Sequence, residues 1–152
     1  EIPKRDWNSD VCSSDLTHPR ASLSELHTLV SAVRERERAE TSARLAQDWV
    51  VARGAAHAEL ARRGSRVALY DLRESFDAAR APLPLDFLTA VTTIGDASCL
   101  EALARTWKAS PREAWWRARL VEAAREIMAR EKLTGRNSVV KRVNEKYSGF
   151  LS

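Results

Sequence analysis

The sequence predicts an all-α fold in which antiparallel helix pairs stack side by side as a short α-solenoid, and three observations carry that expectation. Ala, Leu, Arg and Glu dominate while glycine and proline number five each in 152 residues, a composition that favours helices. No β-branched run alternates over a strand's length between turn signals, so sheets are not expected. The stretch from Pro82 to Trp107, PLPLDFLTAVTTIGDASCLEALARTW, reads as two short amphipathic helices joined by one tight turn. Pro84 falls where a first helical turn tolerates a missing N–H, Leu85, Leu88 and Val91 or Thr92 recur at helical spacing, and Gly95 ends the helix. Asp96 then caps a second helix whose Leu100, Leu103, Ala104 and Trp107 form one apolar stripe.

Taken from the N-terminus, Arg5 to Leu16 is crowded with Asn, Ser and Asp and lacks apolar periodicity, so it reads as a tail. This segment, RDWNSDVCSSDL, resembles the conceptual translation of a sequencing adapter, with Asn8 in place of a serine. The resemblance implies that residues 1–16 are a non-native tail, that Trp7, Asp10, Cys12 and Asp15 have no role, and that the natural chain continues upstream of Thr17.

Residues 17–152 are expected to form one helical-repeat domain. Ser22 and Glu25 have capping-box spacing, and Leu23, Leu26, Leu29, Val30 and Val33 line one face of a first helix. Arg34 to Arg38 alternates in sign without an apolar stripe and reads as a solvated helix end or linker. Leu45, Trp49, Ala52, Ala56, Leu60 and Ala61 recur along a long helix, interrupted at Gly54 and closing at Arg62-Arg63-Gly64, where cations suit the C-terminal dipole. Ser65 starts the next, with Val67, Leu69, Tyr70, Leu72 and Phe76 as its apolar face, before Ala81-Pro82-Leu83-Pro84 breaks the chain. Beyond the central hairpin, Ser110 reads as an N-cap and Pro111 as the first residue of a helix burying Trp115, Trp116, Leu120, Ala123, Ala124, Ile127 and Met128. A final helix, from Gly135 or Asn137 to Tyr147, carries Val139, Val140 and Val143. The expected pairs are 43–80, 84–108 and 111–147, and a period of roughly 30–40 residues suits a helical solenoid.

At IGDASCLEALARTW the pattern of a Gly-Asp turn, a small residue, then leucines and alanines at helical spacing resembles the second helix of HEAT repeats. The likeness is clearest from Leu83 to Trp107; the flanking pairs lack the Gly-Asp element. It implies a right-handed stack in which Gly95, Asp96, Leu100, Leu103 and Trp107 are core or cap residues, Asp96 bracing adjacent turns. It implies no catalytic residue, and HEAT arrays serve mostly as interaction scaffolds.

Candidate chemistry is sparse. His27 and His57 have no Asp, Cys or second His at ligand spacing, Cys99 reads as a buried helical thiol, and the glycines form no phosphate loop, so no metal or cofactor is expected. No apolar segment approaches the roughly 20 residues of a membrane span, which points to a soluble, cytoplasmic protein with no membrane partner. Charge is uneven: from Arg105 onward twelve Lys or Arg face five Glu, whereas Thr17 to Ala104 has eleven against twelve acidic residues. Arg112, Arg119, Arg136, Lys141, Arg142 and Lys146, with Trp115, Trp116 and Tyr147 among them, are candidate contacts for an anionic partner. Glu113, Glu122, Glu126 and Glu131 stand close enough to arginines to neutralise part of that face. The function expected is therefore non-catalytic protein–protein interaction, with nucleic-acid binding through the basic C-terminal third as the alternative. HEAT-like DNA-repair glycosylases add an acidic catalytic residue to such a face, and no catalytic Asp is visible near Trp115 and Trp116.

Overall fold

The computed structural model describes residues 21–152, which form seven α-helices and no strand. α1 spans Leu23–Ala39, α2 Ala43–Arg62, α3 Leu69–Ala78, α4 Leu85–Ile94, α5 Leu100–Ala109, α6 Ala114–Arg130 and α7 Ser138–Lys146; a 3-10 turn, Ala97–Cys99, leads into α5. The tail expected over residues 1–16 lies outside the described residues. No helix among those described is long and apolar enough to cross a membrane.

From α2 onward the contacts run between alternate helices. α2 packs on α4 and α4 on α6, while α3 packs on α5 and α5 on α7; α3 also touches α4, and α5 touches α6. α1 packs along α2 across a three-residue connection, residues 40–42. The main core lies where the two rows meet. Phe76, Phe87, Leu100, Leu103, Trp116, Leu120, Ile127 and Phe150 are sealed from solvent there, with Phe76 stacked on Trp116 at 6.3 Å between ring centroids. A smaller apolar cluster of Leu26, Val30, Ala56, Leu60 and Ala68 joins α1 to α2.

Several helix boundaries follow local rules. Ser22 and Glu25 form the expected reciprocal box, the Glu25 N–H donating to Ser22 Oγ at 3.1 Å and the Ser22 N–H to Glu25 Oε2 at 2.6 Å. Asp96 accepts from the Ser98 N–H at 2.9 Å, so it caps the 3-10 turn and leads α5 in rather than capping α5 itself. Asn137 starts α7 by accepting from the Val139 and Val140 N–H groups at 2.9 and 3.3 Å.

Others depart from the expectation, each for a physical reason. α2 runs unbroken through Gly54, where a Cβ would lie 2.8 Å from the Phe87 ring: the glycine is a notch that lets α4 approach. Gly95 ends α4 in extended rather than left-handed backbone, at φ −62, and is needed because a Cβ would strike the Val91 carbonyl and crowd Ile127. Ser65 does not cap α3, which begins at Leu69 after Ala68. Ser110 is the C-cap of α5 rather than the N-cap of α6, which starts at Ala114, beyond a turn at Pro111. Leu23, Leu29, Leu45, Val67, Tyr70, Leu85 and Trp115, all expected on buried faces, are exposed.

Candidate functional site

The densest polar constellation lies where α1, α2 and α3 meet. Arg34 and Glu37 project from α1, Arg53 and His57 from α2 one turn apart, and Asp71 and Ser75 from α3 one turn apart. Asp71 is the hub. Its Oδ1 accepts from Arg34 Nε, and its Oδ2 accepts from Arg53 Nη1 at 3.2 Å and from His57 Nε2 at 2.8 Å. Arg53 grips Glu37 with a two-pronged fork, Nε to Oε2 at 2.8 Å and Nη2 to Oε1 at 3.3 Å. Ser75 Oγ accepts from Arg53 and from Arg34 Nη2 at 3.0 Å while donating to the Asp71 carbonyl at 2.7 Å. Beneath the cluster the Phe87 ring lies 5.1 Å from the Arg53 guanidinium carbon and 5.6 Å from the His57 ring.

The electrostatics follow from this geometry. Two guanidiniums face two carboxylates, so the cluster is neutral when His57 is neutral. Burial pushes the His57 imidazole below its ordinary value, and although Asp71 works against that, the nearby Arg53 and Arg34 charges add to it. Burial alone would raise the Asp71 carboxyl, but hydrogen bonds from His57 and Arg34 and the charges of Arg34 and Arg53 outweigh it and hold the group well below the usual carboxylate range. A carboxylate this acidic is a poor proton carrier near neutrality, and His57, 1% exposed, is out of reach of a substrate. The arrangement serves to clamp three helices. Sequence spacing does not reveal it: the alternating charge run that holds Arg34 and Glu37 suggests a solvated helix end or linker, and His57 has no acidic residue at ligand spacing, because its partner Asp71 lies fourteen residues away on another helix.

The basic C-terminal third is less free than its composition suggests. Glu101, on α5, gathers three of its cations: Lys146 Nζ at 2.8 Å, Arg142 Nε at 3.4 Å and Arg105 Nη2 at 3.5 Å. The Lys146 hydrogen bond and the surrounding cations lower the Glu101 carboxyl despite some burial. Arg119 pairs with Glu122 at 3.0 Å. Arg130 donates to the Thr92 and Gly95 carbonyls, closing the C-terminal end of α4. Arg117 lies over the Trp107 ring at 3.9 Å. Arg112, Arg136 and Lys141 are exposed and carry no ion pair among the described residues. Of the expected aromatic contacts, Trp116 and Tyr147 are buried and Trp115 alone is exposed.

The remaining predicted positions fall in the core: Leu100 and Leu103 are sealed, Trp107 is half-buried against Phe150, and Gly95 is buried beside Asp96. Cys99 is buried, and burial pushes its thiol up. Among the described residues no group of three or more His, Cys, Asp or Glu side chains is placed to hold a metal ion. No family model matches the sequence, and neither a curated protein nor a solved structure matches it.

Proposed function

We propose that the chain is a non-catalytic scaffold of the HEAT-like kind, a right-handed α-solenoid that binds a partner protein in the cytoplasm. The observation that carries this reading is the order of contacts, in which each helix from α2 to α5 packs on the helix two places along. A stack of helix pairs propagates in this way, each unit touching only its neighbours and leaving continuous surfaces for a ligand. The acid–base residues add support: His57 is sealed and Asp71 partly buried, and their contact is used to join helices. A free, buried Cys99 thiol suits a reducing compartment. The test is to co-purify the full chain with its partner, purify that partner separately and titrate the two together. Saturable binding at a defined stoichiometry supports the scaffold; an absence of saturable binding by every purified candidate overturns it.

A second reading, nucleic-acid binding, draws on the exposed Arg112, Arg136 and Lys141, which carry no ion pair among the described residues, and on the exposed Trp115. It requires affinity for an oligonucleotide that falls steeply with salt, and is eliminated if none binds at low salt.

A further inference from the structure

We propose that the groove across α3, α5 and α7 is the docking surface of the scaffold and that it takes an acidic peptide segment of the partner, one whose carboxylates are spaced along the chain. The inference rests on the scaffold reading and adds to it a place and a chemistry. The groove has a volume of about 420 Å³, and three helices of one row each bring a guanidinium to it: Arg73 from α3, Arg105 from α5 and Arg142 from α7. Two carboxylates stand between them. Arg105 Nη1 donates to Asp77 Oδ1 at 2.6 Å, and Glu101 is shared by Arg105, Arg142 and the neighbouring Lys146.

Charge along the groove therefore alternates, with three lining cations to two anions and Lys146 close by. The surplus sits at its two sides. Arg73 has no carboxylate partner among the described residues and rests against the Tyr70 ring at 5.2 Å, while Arg142 reaches Glu101 only at 3.4 Å in competition with Lys146. A guanidinium presents a planar fork that matches a carboxylate. A compact dianion such as phosphate would have to sit close to Asp77 or Glu101 and be repelled by them. An extended peptide can place one carboxylate at Arg73 and another at Arg142 while its backbone passes over Ala102 and Val139, which also line the groove. The built-in carboxylates then reject unbroken polyanions, which is selectivity by repulsion.

The experiment is fluorescence anisotropy of the full chain with a labelled peptide of about ten residues whose glutamates are separated by serines and glycines, long enough when extended to cross three helices. Titrations at low and near-physiological salt are compared with those of inorganic phosphate and a single-stranded oligonucleotide as competitors. The expected result is saturable, salt-weakened binding that falls about tenfold or more in the double variant Arg73→Glu, Arg142→Glu, and is nearly kept in Lys132→Glu, Arg136→Glu, which changes charge equally outside the groove lining. Should the charge reversals disturb folding, Arg73→Gln with Arg142→Gln carries the same comparison. Equal loss in both double variants would show a diffuse charge effect and overturn the groove. Displacement of the peptide by phosphate, or tighter binding of the oligonucleotide, overturns the peptide assignment. If a purified partner binds the scaffold equally well after the groove is reversed, the groove is refuted while the scaffold reading stands.

Discussion

Around Asp71, α1, α2 and α3 meet through four charged side chains, a serine and a buried imidazole. Around Trp116, α3 to α7 meet through sealed apolar side chains: Phe76, Phe87, Leu100, Leu103, Leu120, Ile127 and Phe150. The first joint has a small apolar cluster beside it and the Phe87 ring beneath it. It depends on charge balance and directed hydrogen bonds, which fail abruptly when one partner is removed. The second depends on apolar burial, which is non-directional and indifferent to pH. The contrast makes α1 and α2 the part of the fold that acid or a single polar substitution can loosen selectively.

The largest effect is expected at the hub. Asp71→Ala strands Arg34 and Arg53 without their shared carboxylate, and breaking a buried pair in this way costs about 3–5 kcal/mol. Urea denaturation measures the loss, and native-state hydrogen exchange locates it: protection should fall in α1 and α2 far more than in α5 and α6. A loss spread evenly over all helices would mean that the two regions unfold as one unit. Leu100→Ala supplies the opposite case, a cavity in the apolar region at about 2–5 kcal/mol. Exchange should then rise in α5 and the helices packed on it, with the dependence on pH left as in the parent chain. Gly54→Ala comes next, at about 1–3 kcal/mol of destabilisation read as a lowered Tm, because the added Cβ meets the Phe87 ring, which also floors the ionic cluster. Helix propensity alone would favour alanine there by about 1 kcal/mol, so stabilisation would show that the ring can yield.

What the sequence made legible was local. The Ser22–Glu25 box and the Asp96 turn each need only three or four consecutive residues to satisfy an orphan N–H, and each is present. The all-helical class follows equally from periodicity and composition. The ionic joint was illegible because its members are far apart in the chain; Arg34 and Asp71 are 37 residues distant, and an alternating charge run gives no sign of which members turn inward. The tryptophan pair failed for a geometric reason. Neighbours on a helix point about 100° apart, so Trp115 and Trp116 cannot both face the core, and composition does not say which does; the structure buries Trp116. In the basic third the local pairs Arg119–Glu122 and Arg130–Glu131 follow from sequence spacing, whereas Glu101, across on α5, holds three cations that no local count could assign to it.

Acid titration separates the two regions without mutation. His57 is neutral in the fold, and its imidazole is held below the value of about 6.5 that it has in the unfolded chain. As pH falls through that value the unfolded state takes up a proton that the folded state refuses, so stability declines. Asp71 acts in the same sense at lower pH: it is ionised in the fold well below the usual carboxylate range, so the unfolded chain protonates first and stability falls further. Exchange protection of α1 and α2, corrected for intrinsic rates, should therefore drop between about pH 7 and about pH 5 while α5 and α6 hold. His57→Gln, which keeps an N–H for Asp71 and cannot be charged, should flatten that slope. A slope unchanged by the substitution would assign the acid response to another group.

The smallest difference is expected between two buried serines, one in each region. Ser75 Oγ accepts from Arg53 and Arg34 and donates to the Asp71 carbonyl, all inside the ionic joint. Ser110 Oγ is equally buried at the end of α5 but has no partner among the described residues. Removing a hydroxyl that satisfies buried charged donors leaves them short of an acceptor, although Asp71 still takes part of the load, so Ser75→Ala should cost about 1 kcal/mol. Removing an unpaired hydroxyl takes away a desolvated group and leaves behind only a void the size of one oxygen, so Ser110→Ala should fall within about 0.5 kcal/mol of the parent chain. Matched urea titrations of the two variants read the difference directly. Equal losses would mean that a bound water gives Ser110 the partner that the protein does not.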